Sequence, residues 1–264
     1  AVLATSAREG AGALAIDGQR IAGIWFREET DKDDSKALQA FPDAEVIDLG
    51  GKVLMAGGID AHVHFRDPGL THKADIASES RAAVLGGITS FIDMPNTIPP
   101  TVTAEALEAK LKVASEYSWA NYGFNIGATN ANADEIIGCL ETDFRHSIGG
   151  VKVFLGSSTG NMLVDRKESL EKLFSISTKP VLVHSEDESI IKANLAAAKE
   201  KYGEEIPFAE HPLIRSRKAC IMSTIHALEM ALEHGTALHL LHVSTKEEAE
   251  MVRAAKIHNP RITA

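Results

Sequence analysis

Gly58-Ile59-Asp60-Ala61-His62-Val63-His64 is a short apolar run that closes on two histidines spaced i and i+2. Alternate residues of a β-strand point to one face, so such a strand presents both imidazoles together at its C-terminal end. Downstream of Val53 the same grammar repeats, with short apolar runs alternating with helical periodicity. Strands are predicted at Gly58–His64, Ile88–Asp93, Tyr122–Gly127, Gly150–Leu155, Pro180–His184 and Ala237–Val243. A helical pattern follows each one, which is the signature of βα units and a parallel sheet.

The helices carry their own punctuation. Asp165 with Glu168 three residues on reads as a capping box, followed by Leu170, Leu173 and Phe174 on one face. Ile191, Leu195 and Ala198 share a helical face, Ser216–Glu233 ends at a Gly235 cap, and Thr245 with Glu248 forms another capping box. Pro260–Ala264 reads as the start of a seventh strand. A (β/α)8 TIM-type barrel needs eight strands and about 250 residues. Residues 56–264 therefore predict an α/β barrel that is C-terminally incomplete in this chain. A doubly wound sheet is disfavoured because no GxGxxG follows a strand. Residues 1–55 read differently, as a β-rich segment with strands at Ala13–Ile16, Arg20–Phe26 and Glu45–Leu49 and a solvated loop at Arg27–Ser35.

Composition removes other classes. The 264 residues are 44% hydrophobic, enough for a real core, and carry a net charge of −10 without a basic stretch or an aromatic platform. Nucleic acid and anionic membranes are thus not expected as partners. Cys139 and Cys220 are isolated, which fits a reducing compartment and excludes a CxxC metal site. With no apolar run of ~20 residues and no signal peptide, the sequence predicts a cytoplasmic protein.

Chemistry gathers at the strand ends, which in a barrel form the active-site mouth. His62 and His64 end the first strand, His184 ends Val181-Leu182-Val183-His184, and His242 nearly ends Leu238-His239-Leu240-Leu241-His242. Strand parity sets His239 on the opposite side from His242, packed against helices. Lys152 sits in the apolar run Gly150–Leu155, where burial should lower its pKa and free the neutral amine. Such an amine can add carbon dioxide to become a carbamate, a carboxylate suited to bridging two cations; the alternative is a lysine snorkelling to the strand end. Imidazole with oxygen ligands suits Zn2+, with other divalent metals open. Two such ions ~3.5–4 Å apart would lower the pKa of a bridging water from ~15.7 toward ~7. His72, His146, His211, His226, His234 and His258 fall in loops or on helices and read as surface or packing residues.

These residues resemble dihydroorotase, of the amidohydrolase superfamily. The resemblance is carried by His62-Val63-His64-Phe65-Arg66-Asp67-Pro68-Gly69, by Met94-Pro95-Asn96-Thr97, and by the Lys152 strand with Gly156-Ser157-Ser158-Thr159-Gly160. It covers nearly the whole chain from Val53. It implies reversible interconversion of N-carbamoyl-L-aspartate and dihydroorotate in pyrimidine synthesis, with a metal-bridging hydroxide as nucleophile and a possible homodimer. His62 and His64 would bind one zinc, carboxylated Lys152 would bridge, and His184 and His242 would bind the second. Arg66 and Asn96 would hold the substrate carboxylate, a match for a guanidinium fork and a directional amide. On the plainer reading Arg66 pairs with Asp67 and Asn96 is a turn residue. Asp60, on the same strand face as His62, is either an orienting partner or structural. The family's catalytic Asp lies beyond Ala264, so the general acid/base is not named among these residues. An allantoinase or a hydantoinase (dihydropyrimidinase) would share the metals but not the ring carboxylate. An inactive dihydroorotase-like scaffold for a partner enzyme is the reading from another class.

Overall fold

The strand–helix alternation read from the sequence becomes a six-stranded sheet in the computed structural model, which describes residues 1–30, 33–156 and 161–264. Ser157, Ser158, Thr159 and Gly160 of the glycine-serine motif lie outside the described residues. Two compact units divide the chain, Ala1–Gly58 and Ile59–Ala264.

In the first unit β1 (Val2–Ala4), β2 (Glu9–Asp17), β3 (Arg20–Phe26) and β4 (Val53–Met55) form a sheet in the order β3-β2-β1-β4, with helix α1 (Ser35–Ala40) beside β2 and β3. Glu45–Leu49 is not a strand. Val46 and Ile47 stand 66% and 74% exposed, and the ladder position next to β1 goes to β4 through Val2↔Val53 and Ala4↔Met55. An apolar run becomes a strand only where an edge accepts it, and β1 offers that edge beyond the Gly50-Gly51 turn.

The second sheet runs β10-β9-β8-β7-β6-β5, built from β5 (Gly58–Val63), β6 (Ile88–Asp93), β7 (Asn121–Gly127), β8 (Ile148–Phe154), β9 (Val181–His184) and β10 (Leu238–Leu240). Parallel ladders join β6 through β10, and the sheet curls as half of a barrel. Its helices are α2 (Ile76–Leu85), α3 (Ala104–Tyr117), α4 (Ala133–Glu141), α5 (Lys167–Phe174), α6 (Glu188–Tyr202), α7 (His211–Ile214), α8 (Arg217–His234) and α9 (Lys246–His258). Thr245 and Glu248 cap α9 reciprocally, and Gly235 ends α8 in the left-handed region, as the sequence predicts. Asp165 does not cap α5, which begins after Arg166 without a side-chain cap. It is drawn instead into a loop–loop contact, accepting from Asn130 Nδ2 at 2.8 Å while Asn130 Oδ1 accepts from the Asp165 and Arg166 amides.

Register decides which side chains meet. Val151, Val153, Val181, Val183, Leu238 and Leu240 are buried in the core with Phe124, Leu107 and Leu173. The alternate row, Gly127–Lys152–Leu182–His239, is paired in register and faces the other side, the concave interior of the half-barrel. Past α9 the chain returns to the sheet edge: Leu240 N donates to Thr263 O and Thr263 N to Leu238 O, the start of a further strand beside β10. Among the described residues no helix is long and apolar enough to cross a membrane.

Candidate active site

Four imidazoles form a chain at the C-terminal end of this sheet. Ring centroids lie 5.4 Å apart for His62–His64, 6.4 Å for His62–His242 and 4.7 Å for His184–His242. Nδ1 of His184 is 3.0 Å from Nε2 of His242, so the two rings are in hydrogen-bond contact. The opposite nitrogen, His184 Nε2, meets Glu186 Oε2 at 2.5 Å. Glu186 is in turn gripped by Arg215, through Nε to Oε1 at 2.8 Å and through Nη2 to Oε2. Burial pushes the Glu186 carboxyl up, but the bonds from His184 and Arg215 prevail and hold it at about 2. The carboxylate thus fixes which ring nitrogen His184 turns toward His242.

The electrostatics favour neutral rings. Burial, then the neighbouring His184, Lys152 and His62, lower His242 to about 4. His64 also falls to about 4, through burial and then Arg66, His62 and Lys152, against the Asn96 amide oxygen, which favours the protonated ring. His62 is lowered by burial and by Lys152. Lys152 is 2% exposed, and burial alone brings its amine to about 7. Its Nζ lies 4.4 Å from the Phe154 ring centroid, and among the described residues it has no ion-pair partner.

His239 faces the same side as Lys152 and is not packed outward against helices. It shares the Lys152–Leu182 row, bonds Thr263 Oγ1 through Nδ1 at 2.8 Å, and is lowered by burial and by Lys152. Parity fails here because β10 stops at Leu240 and the chain turns left-handed at His242, with φ 41°. A non-glycine residue in that region costs about 1–2 kcal/mol and marks a position held by its surroundings.

Arg66, at φ 67°, is the other such residue among those described. It makes no ion pair with Asp67 or with any described carboxylate; Asp67 Oδ2 lies instead 3.5 Å from the Ile76 amide. The loop after β5 is tied to the one after β6, where Ile98 N donates to Pro68 O at 3.1 Å. Gly69, at φ 80°, is required at this crossing because a Cβ would meet Ile98 O at 1.9 Å. Asn96 stands on the second loop with Oδ1 buried on the side of the His64 ring, in no hydrogen bond of good geometry among the described residues. Asp60 Oδ1 accepts from the His62 backbone amide at 3.1 Å, and the Asp60 charge works to raise the pKa of the His62 ring against burial and Lys152.

Among the described residues no three His, Cys, Asp or Glu side chains close into a cage for an ion. In chemistry the donors nevertheless suit a divalent cation: the His62, His64 and His242 rings with their lowered pKa, a His184 nitrogen 3.0 Å from His242, and a buried amine able to become a carboxylate. Glu186 and Arg215 were not visible as site residues in the sequence. The only local signal is an acidic residue two positions after a strand-end histidine; Arg215 reaches it from a distant loop.

Comparison with known proteins gives this arrangement a context. The Amidohydrolase family model matches residues 53–262. A dihydroorotase from Methanosarcina mazei is 35% identical over 215 residues, covering 80% of this chain and 45% of that protein. An allantoinase from Streptomyces avermitilis is 31% identical over 225 residues, covering 83% of this chain and 48% of its own length. The solved L-hydantoinase (dihydropyrimidinase) from Arthrobacter aurescens superposes with a TM-score of 0.80 at 26% identity, over 98% of this chain and 55% of that one. The chain spans about half the length of the relatives it matches. With a family match across most of its length and a half-barrel ending in histidines, the chain belongs to the amidohydrolase family.

Proposed function

We propose that this chain is the larger part of the barrel of a cytoplasmic dihydroorotase, with residues 56–264 supplying the hydrolase barrel and residues 1–55 part of a small β-sandwich. One observation carries the substrate choice. Arg66 is set beside His64 in a left-handed backbone position, without a carboxylate partner among the described residues, and the Asn96 side chain, whose Nδ2 can donate to an anion, also acts on the His64 ring. A half-buried guanidinium without a carboxylate partner favours a ring that carries a carboxylate over allantoin or a simple hydantoin.

In this reading His62, His64, His184, His242 and carboxylated Lys152 hold two zinc ions. The Lys152 nitrogen attacks carbon dioxide, forms a C–N bond and releases one N–H proton, leaving a carbamate; burial supplies the neutral amine this needs. Bound metal would supply Lewis acidity and an activated water for opening the ring amide. Arg66 and Asn96 orient the ring through its carboxylate. Glu186 and Arg215 fix the His184 ring. Zinc content and turnover of the full-length protein test the reading together: it expects about two ions per chain and hydrolysis of dihydroorotate. Metal-free protein with no turnover favours the scaffold reading.

A further inference from the structure

Asp93 and Lys110 form an ion pair wholly withdrawn from solvent, with both side chains 0% exposed and Nζ 2.5 Å from Oδ2. Asp93 closes β6, and Lys110 reaches it from the middle of α3. Desolvating both charges costs more than an apolar pair of similar volume would, so packing alone does not explain them. Their remaining bonds lead toward the site. Asp93 Oδ1 accepts from the amide of Phe65, the residue between His64 and Arg66, at 2.8 Å. Lys110 Nζ donates to Met94 O, two residues before Asn96, at 3.1 Å. Phe65 is itself buried against Phe91, ring centroids 4.5 Å apart, and Lys110 lies 4.9 Å from the Phe124 ring. One buried pair therefore holds the roots of both loops, whose tips meet at Pro68, Gly69 and Ile98.

We propose that Asp93 and Lys110 are positioning residues for substrate recognition, fixing the spacing of Arg66 and Asn96 and so the fit of a carboxylate carried on the ring. This rests on the reading of Arg66 and Asn96 as the carboxylate clamp. The test uses the zinc-loaded, full-length protein and the double variant Asp93→Asn/Lys110→Met, which leaves no lone buried charge and keeps an acceptor for the Phe65 amide. The expected result is a KM for dihydroorotate raised ~10-fold, with kcat within ~3-fold and zinc content unchanged, since loosened loops weaken binding of the ring more than the chemistry. Should that variant not accumulate as folded protein, Asp93→Asn alone, whose buried amine can shed its proton, should raise KM ~3-fold in the same assay. A wild-type KM in a folded variant, whatever its melting temperature, would mean that the pair serves stability only and overturns the inference. A wild-type protein that does not turn over dihydroorotate overturns the functional reading and the inference with it.

Discussion

Arg66→Met removes the guanidinium while keeping an unbranched side chain at a backbone position of φ 67°, so the left-handed penalty is the same before and after. A hydrogen bond to a charged group contributes about 1.5–3 kcal/mol. Arg66 is half-buried, which places its contribution mid-range at about 2 kcal/mol, or a ~30-fold loss of kcat/KM for dihydroorotate. The same substitution changes His64, because the Arg66 cation helps to lower it to about 4; without that cation the His64 pKa moves back up. Assays at pH 8 keep the ring neutral in both proteins, so zinc content should not differ there. The measurement is steady-state kinetics with dihydroorotate and with a neutral cyclic amide, alongside metal analysis of each preparation. Equal losses on both substrates, or a loss of zinc at pH 8, would refute the clamp and assign Arg66 to the fold or the metal site.

Lys152→Ala should abolish zinc retention and turnover, with partial rescue by a short carboxylic acid filling the vacated space; undiminished activity without rescue would remove its bridging role. Metal-free protein in carbonate-free buffer should gain stability as pH rises from about 7 toward 10.5, because the unfolded chain still holds the Lys152 proton there and the folded chain does not. The slope is about 1.4 kcal/mol per pH unit, read as the difference from Lys152→Met in denaturant titrations; parallel curves would show the amine unperturbed. Glu186→Gln should weaken zinc affinity ~10- to 100-fold by freeing the His184 ring, measured by competition with a chelator, and unchanged affinity would make the Glu186–Arg215 pair purely structural.

Much of this architecture was written locally. Ile88–Asp93 and Arg20–Phe26 form strands at the predicted residues because apolar alternation and flanking turn residues agree there. His62, His64, His184 and His242 were legible because each closes or follows a strand, and a parallel sheet gathers strand ends on one rim. What escaped depends on partners distant in sequence. Glu45–Leu49 has the composition of a strand but no ladder edge, and Asp165 has cap chemistry but a better acceptor role with Asn130. The orientation of His239 hinged on where β10 stops, which the left-handed turn at His242 decides. Glu186–Arg215 and Asp93–Lys110 bring together residues with no shared local pattern, so only the folded chain reveals them.

The most direct test of the account is the ratio of kcat/KM for dihydroorotate to that for allantoin, measured side by side on the zinc-loaded full-length protein. A site with a guanidinium lacking a carboxylate partner and an asparagine Nδ2 donor should favour dihydroorotate by ~100-fold or more, because the neutral ring leaves those donors unsatisfied. A ratio near one, or a preference for allantoin, would contradict it.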